Sequence, residues 1–359
     1  MRPWGIVAGA VLLLVVLGDA FETIVLPRRV TRRLRLTRLF YRSTWRPFRA
    51  LGQLRKPGAS RENFLSVYGP LSLLWLLVLW AGGLLLGFAM LHWGLGTRLQ
   101  VPKGMSGFGA DLYYSGTTLF TIGLGDVAPT SGIGRLLTVL EGGTGLGFLA
   151  LVVGYLPVLS QAFSRREVNI SLLDARAGSP PTAAELLRRH PHPDSGEGLA
   201  QLLAEWERWS ADLLETHISF PVLGYYRSQH ENQSWVAALT TVLDVCALII
   251  AGLEPGPRRT ARLTYAMARH AVIDLSRVFH QPPKPPDPDR LPLSELAKLR
   301  QALIGAGRAL PAEKSVEEKL TRIRQTYEPY VNALGNLFLM QLPQWLPPEQ
   351  LKDNWERTL

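Results

Sequence analysis

The sequence predicts an all-α membrane protein joined to a soluble helical domain. Long charge-free apolar runs fill much of the first half of the 359-residue chain, the second half repeats apolar residues at three- and four-residue steps, and basic residues crowd into one stretch. With 47% hydrophobic residues and a formal charge of +10, the chain resembles neither an ordinary soluble enzyme nor a disordered protein. The basic excess does not point to nucleic acid. Arg28, Arg29, Arg32, Arg33, Arg35, Arg38, Arg42, Arg46, Arg49, Arg55, Lys56 and Arg61 lie together beside apolar spans, with Glu62 as the sole acid among them, and such clustering is first a topology signal. The single cysteine, Cys246, excludes an intrachain disulfide and fits a reducing compartment.

Each span follows from its run. From Asn63 to Thr97 no residue carries a fixed charge, well beyond the roughly 20 apolar residues that cross a bilayer core. A second run extends from after Arg135 to before Arg165, broken only by Glu141. A third, Trp4 to Leu26, is weaker because Asp19 and Glu22 follow its apolar part on one helical face. Acids at mid-membrane would cost about 2.5 to 3.5 kcal/mol each, so they are expected near the inner surface, close to Arg28 and Arg29. The rival reading of this segment is a cleaved signal peptide. Cleavage would leave the arginine segment outside, against the positive-inside tendency.

The expected organisation is an N-terminal transmembrane segment over 1–26, a basic cytoplasmic linker over 27–62, a pore domain over 63–164 and a cytoplasmic helical domain over 165–359. In this topology the N-terminus lies outside, Leu95 to Ile133 face out, and the last span returns inward to Arg165 and Arg166. The expected location is the cell inner membrane or plasma membrane, crossed more than once.

Between the two strong spans, ADLYYSGTTLFTIGLGDVAPTSGIGR is too short for another crossing and too apolar for a simple exposed loop. It fits a half-crossing helix, about Ala110 to Phe120, followed by an extended return. Backbone outside a helix is tolerated at membrane depth only where protein or a watery cavity surrounds it, so an extended Thr121 to Gly125 demands an oligomeric pore. Gly123 and Gly125 take positive φ freely, which lets successive carbonyls of Thr121, Ile122, Gly123 and Leu124 face an axis while side chains pack behind.

This stretch resembles the pore signature of the potassium channel superfamily, T-x-G-x-G-D after a pore helix. Thr118 occupies the position of the pore-helix threonine three residues before the filter threonine, and Tyr113 and Tyr114 occupy the paired aromatic cuff. Pro129, Gly134 and Arg135 resemble the start of the inner helix in simple two-span bacterial channels. The resemblance covers about Leu71 to Phe163. It implies a homotetramer, one pore loop per chain, with K+ held by the carbonyls of Thr121, Ile122, Gly123, Leu124 and the adjoining Gly125, and with the Thr121 hydroxyl at the cavity end. It implies that Asp126 braces the filter against the cuff. Two positions depart from the pattern: Leu124 stands in place of the commonest tyrosine, and Thr117 stands where some members carry a buried glutamate. The resemblance also places the inner-helix gating glycine at Gly145.

The inner run EGGTGLGF, Glu141 to Phe148, is dense in glycines that each cost a helix about 0.5 to 1 kcal/mol relative to alanine. A hinge and close packing are the two readings of that cost. Glu141, an acid inside the membrane, is expected to support the back of the filter. Pro157 is expected to kink the inner end, and Phe163 is a candidate constriction.

From Thr182 onward the pattern is helical. Leu199, Leu202, Leu203, Trp206, Trp209, Leu213 and Leu214 recur at helical spacing, as do Val316, Leu320, Ile323, Tyr327, Val331 and Leu334. Proline-rich stretches near Gly178, Pro191 and Gln281 mark linkers. The run Trp235 to Leu253 barely reaches spanning length and carries Asp244 at its centre, so a buried helix is favoured over a fourth span.

No strand-turn-helix nucleotide fingerprint is present, and no cofactor is assigned. His217, His230 and Glu231, and the pair His270 and Asp274, are the only ligand-like groupings; they read as ordinary polar helix residues, with no metal assigned beyond permeant K+. No nucleophile and base stand at a recognisable spacing, so an enzyme is not expected. The expected partners are further copies of the chain and membrane lipids, the anionic ones through Arg28, Arg29, Arg32 and Arg33. The functions in competition are a potassium channel, a weakly selective cation channel, and a membrane-tethered sensor or scaffold.

Overall fold

Every apolar run folds as a helix, and the computed structural model describes residues 1–26, 35–191, 196–230 and 232–348 of the chain. Arg28, Arg29, Arg32, Arg33 and Glu231 lie outside the described residues. The helices are α1 (Pro3–Ala20), continued by a π-helical turn at Phe21–Val25, then α2 (Leu36–Gln53), α3 (Ala59–Ser66) and α4 (Tyr68–Leu95). They continue with α5 (Phe108–Leu119), α6 (Gly132–Ala177), α7 (Ala183–Arg188), α8 (Gly196–Ser219) and α9 (Trp235–Ala251). The last four are α10 (Arg258–Val278), α11 (Leu293–Gly305), α12 (Lys314–Gln325) and α13 (Glu328–Phe338). Two short strands, β1 (Leu99–Gln100) and β2 (Ala128–Pro129), pair antiparallel with Leu99 opposite Pro129. Among the described residues three helical stretches are long and apolar enough to cross a membrane: Pro3–Val25, Ala59–Leu95 and Gly132–Ala177.

The chain divides into two compact units, Met1–Pro47 with Pro70–Ser160 and Phe48–Gly69 with Gln161–Leu359. Phe48–Gly69, expected as the end of a linker and the start of a span, therefore packs with the C-terminal helices. Phe48 stacks on Phe64 at 4.4 Å between ring centroids, Tyr68 meets Tyr225 at 5.3 Å, and Glu62 pairs with Arg227 at 3.3 Å.

In the first unit α1 lies against α4, and at two glycines backbone meets backbone. A Cβ on Gly9 would come 2.7 Å from the Gly87 carbonyl oxygen, and one on Gly94 would come 2.6 Å from the Ile6 nitrogen, the small-residue contact by which helices approach in lipid. Asp19, near the end of α1, is buried. Its Oδ2 accepts from the Thr37 amide (3.0 Å), the Thr37 hydroxyl (2.5 Å) and Trp80 Nε1 (3.0 Å). The ionic partner of this acidic pair among the described residues is Arg35, whose Nε lies 3.5 Å from Glu22 and 3.9 Å from Asp19. One carboxylate thus ties α1, α2 and α4 together.

The second unit is built on α9. Ser234 caps it by accepting from the Ala237 amide, and nearly every residue from Trp235 to Ala251 is buried among the other helices. At 17 residues α9 is about 26 Å long, and its apolar surface is used inside the protein. Asp244 is satisfied there: Arg290 donates to both of its oxygens, at 2.6 and 3.2 Å, and Tyr327 donates to Oδ1 at 2.5 Å. Arg290 and Arg324 also hold Glu328, at 2.9 and 3.1 Å. The apolar series on α8, from Leu199 to Leu214, faces the same core.

Arg166 and His217 form a second buried cluster. Arg166 donates to the carbonyls of Leu223 (2.8 Å) and Tyr226 (3.0 Å) and pairs with Glu167 at 2.9 Å. His217 Nδ1 lies 2.8 Å from the Leu213 carbonyl, so that nitrogen donates and Nε2 faces Arg166 at 3.3 Å as the acceptor. Burial first, and the Arg166 guanidinium second, hold the His217 pKa well below its ordinary value of 6.5. The unfolded chain binds a proton there that the folded chain refuses, so stability falls as pH drops below about 6.5. The melting temperature is expected to be lower at about pH 5.5 than at about pH 7.5, with a smaller gap in His217→Gln. An equal gap in both proteins would remove His217 as the cause.

Candidate functional site

The helix α5 spans 12 residues, about 18 Å, and so cannot cross a hydrocarbon core of about 30 Å. It starts two residues earlier than the sequence suggests, after Gly107 at φ 65°, and carries Asp111 in its first turn, where a carboxylate suits the helix N-terminus. It ends at Leu119, and the chain then changes direction. Thr121, Gly123 and Gly125 sit at φ 56°, 59° and 77°, alternating with Ile122 and Leu124. The glycines adopt this conformation freely, while threonine does so at a cost of about 1 to 2 kcal/mol.

Hydrogen bonding in this segment is one-sided. The Thr121 amide donates to the Thr118 carbonyl (3.0 Å), and the amides of Ile122 (2.8 Å) and Gly123 (3.2 Å) both donate to the Thr117 carbonyl. Among the described residues no donor reaches the carbonyls of Thr121 to Gly125. Ile122 and Leu124 do not pack behind this backbone within the chain; they are 59% and 63% exposed.

The cuff residues hold both ends. Tyr113 donates to Asp126 Oδ2 at 2.9 Å, and the Tyr114 hydroxyl lies 2.5 Å from that of Thr138 on α6. The Thr117 hydroxyl turns back to the Tyr114 carbonyl at 2.9 Å. The Thr118 methyl lies 4.0 Å from where a Cβ on Gly142 would stand, so this part of α6 runs close behind α5. Beyond the loop, pairing of β1 with β2, and the Thr130 amide donating to the Arg98 carbonyl at 2.8 Å, fasten the return segment. Gly134 fits beside Pro129 and Ser131, each 3.0 Å from an added Cβ, and Arg135 Nε reaches the Pro129 carbonyl at 3.4 Å.

Glu141 is fully buried. Its Oε2 lies 3.2 Å from His92 Nε2 on α4; His92 is also fully buried, and its Nδ1 lies 3.1 Å from the Thr97 hydroxyl. Sequence reasoning passed over His92, Thr97 and Thr138. The available signal was a lone histidine in an otherwise charge-free run, an ionisable group at membrane depth that calls for a partner.

Of the three inner-helix candidates, Gly145 has a contact that explains it. A Cβ there would overlap the Leu119 carbonyl oxygen and come within 2.8 Å of its carbon, at the very end of α5. The helix runs unbroken through Gly145 and Pro157 to Ala177. Phe163 has its ring against Tyr226, 5.4 Å between centroids, with the Arg166 guanidinium 5.2 Å from its centre. The sequence-predicted residues from Tyr113 to Gly145 thus gather around one loop, while Phe163 belongs to the second unit.

A short helix ending at a one-sidedly bonded glycine loop thus lies between two long apolar helices. Residues 74–159 match the family model described as "Ion channel", so this part of the chain is an ion-channel domain. Over 259 residues, 70% of this chain and 73% of the relative, the chain is 28% identical to a Bacillus subtilis (strain 168) protein named "Uncharacterized membrane protein YdjJ". Over 90 residues, 22% of this chain and 66% of the relative, it is 40% identical to "Protein LctB" of Geobacillus stearothermophilus. No solved structure matches the chain.

The contact at residue 145 predicts a position-specific cost. Gly145→Ala is expected to lower stability by about 1 to 3 kcal/mol through overpacking, read as a lower melting temperature in detergent. Gly147→Ala, which meets nothing within 4 Å, is the matched control, and equal behaviour of the two would contradict the close approach.

Proposed function

We propose that the protein is a potassium-selective channel in which four copies arrange Thr121 to Gly125 around a common axis. Carbonyls of Thr121, Ile122, Gly123 and Leu124, with the Thr121 hydroxyl and the Gly125 backbone, would replace the water around K+. The observation that carries this reading is the alternating left-handed backbone whose amides are tied to α5 and whose carbonyls have no donor within the described chain. One chain cannot surround a cation with a single such strand. The exposed Ile122, Leu124, Leu136, Val139, Leu146 and Val153 supply apolar surface for neighbouring copies and for lipid. Conduction is passive and needs no cofactor. The negative C-terminal end of α5 would favour a cation in the cavity beneath the filter.

Orientation follows the arginines: N-terminus outside, the filter mouth outside, and the second unit in the cytoplasm of a cell inner membrane or plasma membrane. The second unit would assemble or gate the pore, a role supported by Arg166, which continues α6 directly into the buried cluster with Leu223, Tyr226 and His217. Glu141 is a support behind the filter, and Gly145 joins the inner helix to α5 in addition to any hinge.

Reconstituted protein is expected to pass K+ in a barium-sensitive way, with a reversal potential that follows K+ over Na+. Gly123→Ala, forced to φ 59°, is expected to abolish flux while the protein still expresses. Equal K+ and Na+ permeation would make the pore weakly selective, as the missing hydroxyl at Leu124 would favour. No flux across a range of pH, voltage and calcium would turn the reading toward a sensor or scaffold.

Anionic lipid is the further proposed partner, through Arg28, Arg29, Arg32 and Arg33 and through the stripe Arg38, Arg42 and Arg46 that recurs at four-residue steps along α2. Each arginine near an anionic surface contributes about 1 kcal/mol. Binding of the purified protein to phosphatidylglycerol vesicles should exceed binding to phosphatidylcholine vesicles, and the excess should shrink in Arg42→Gln/Arg46→Gln. An unchanged excess would exclude the α2 stripe.

A further inference from the structure

The group behind the loop that no filter signature includes is His92. It lies on α4, fully buried, 3.2 Å from Glu141 on α6, and the pair shares no water-exposed surface. Burying an acid beside an imidazole is expensive, and it is retained where the two groups hold elements in register or serve function. The contacts lead onward from this pair. The His92 ring meets Tyr114 of α5 edge-on at 5.2 Å between centroids, and Tyr114 bonds to Thr138, three residues before Glu141 on α6. The hydroxyl of Thr117 returns to the Tyr114 carbonyl, and the Thr117 carbonyl receives the amides of Ile122 and Gly123. A continuous run of direct contacts therefore joins the His92–Glu141 pair to the middle of the loop. Ser115, next to Tyr114, is also fully buried and lies beside Glu141.

We infer that His92 is a positioning residue of the pore: with Glu141 it forms a latch between outer and inner helix that holds Tyr114, and through Tyr114 the filter backbone, in ion-selective geometry. The inference rests on the potassium-channel reading above. Both ring nitrogens are engaged, Nε2 by Glu141 Oε2 and Nδ1 by the Thr97 hydroxyl, which fixes the ring between α4 and α6. The charged and titratable groups around it are few. Glu141 comes from α6, Tyr114 and Asp111 from α5, and Arg2 lies at the start of α1, with Asp111 within electrostatic reach of both His92 and Arg2.

The test uses the full-length protein in liposomes, reading the K+ to Na+ permeability ratio from reversal potentials. In His92→Ala and Glu141→Gln the ratio is expected to fall by about tenfold while flux persists, with the double variant falling no further than either single one. Recovery of the ratio in His92→Gln, which keeps a side-chain donor towards Glu141, would separate the latch from a purely space-filling contact. Unchanged ratios in both conducting single variants would overturn the inference. Should His92→Ala fail to assemble, an unchanged ratio in Glu141→Gln alone would overturn it as well. A wild type that does not prefer K+ at all would instead defeat the channel reading, so the two failures are distinguishable.

Discussion

The Thr117 carbonyl accepts two amides, those of Ile122 and Gly123, and the arrangement of the loop depends on that bifurcated contact. An extended chain at membrane depth has to place its polar backbone groups somewhere, because lipid offers them nothing. Here the donors turn back onto the end of α5 and the acceptors are left over. Left-handed residues at alternate positions make this possible, since a run of ordinary β-region residues would alternate its carbonyls from side to side. Tyr113 on Asp126 and Tyr114 on Thr138 then fix the flanks of a backbone that has no strand partner of its own.

Three acids sit deep in apolar helices, and each is handled by the same physical rule. Asp19 collects a tryptophan, a threonine amide and a hydroxyl; Glu141 takes a histidine; Asp244 takes an arginine and a tyrosine. The partners come from other helices for Asp19 and Glu141, and from the segments just before α11 and α13 for Asp244, so the cost of burying the acid is converted into register between elements. The apolar faces alone would tolerate sliding by a turn, and these contacts do not.

The spans, the helical repeat of α8 and the glycine loop were legible because each is a local pattern: run length, three- and four-residue spacing, and glycine at positions that need it. Asp244 likewise pointed to a buried helix, and α9 is enclosed along nearly its whole length. Illegible were the features that join distant positions. Nothing near Gly145 in sequence reveals Leu119 overhead, and nothing near Glu141 announces His92 forty-nine residues earlier. Thr121 escaped for a different reason, since its left-handed backbone contradicts the preference of a β-branched residue and is imposed by its surroundings. The allegiance of Phe48–Gly69 to the second unit was hidden by its basic composition, which reads as linker until Phe48, Phe64 and Tyr68 are seen to pack together.

Cys246 has a practical consequence. It is the chain's single thiol, enclosed in the core around α9, and burial pushes its pKa up, so the reactive thiolate is suppressed on two counts. The native sequence therefore serves as its own silent background for thiol chemistry. A cysteine introduced anywhere along the loop or α6 would be the sole site that labels, so the accessibility of each position can be read without first removing a residue from the core.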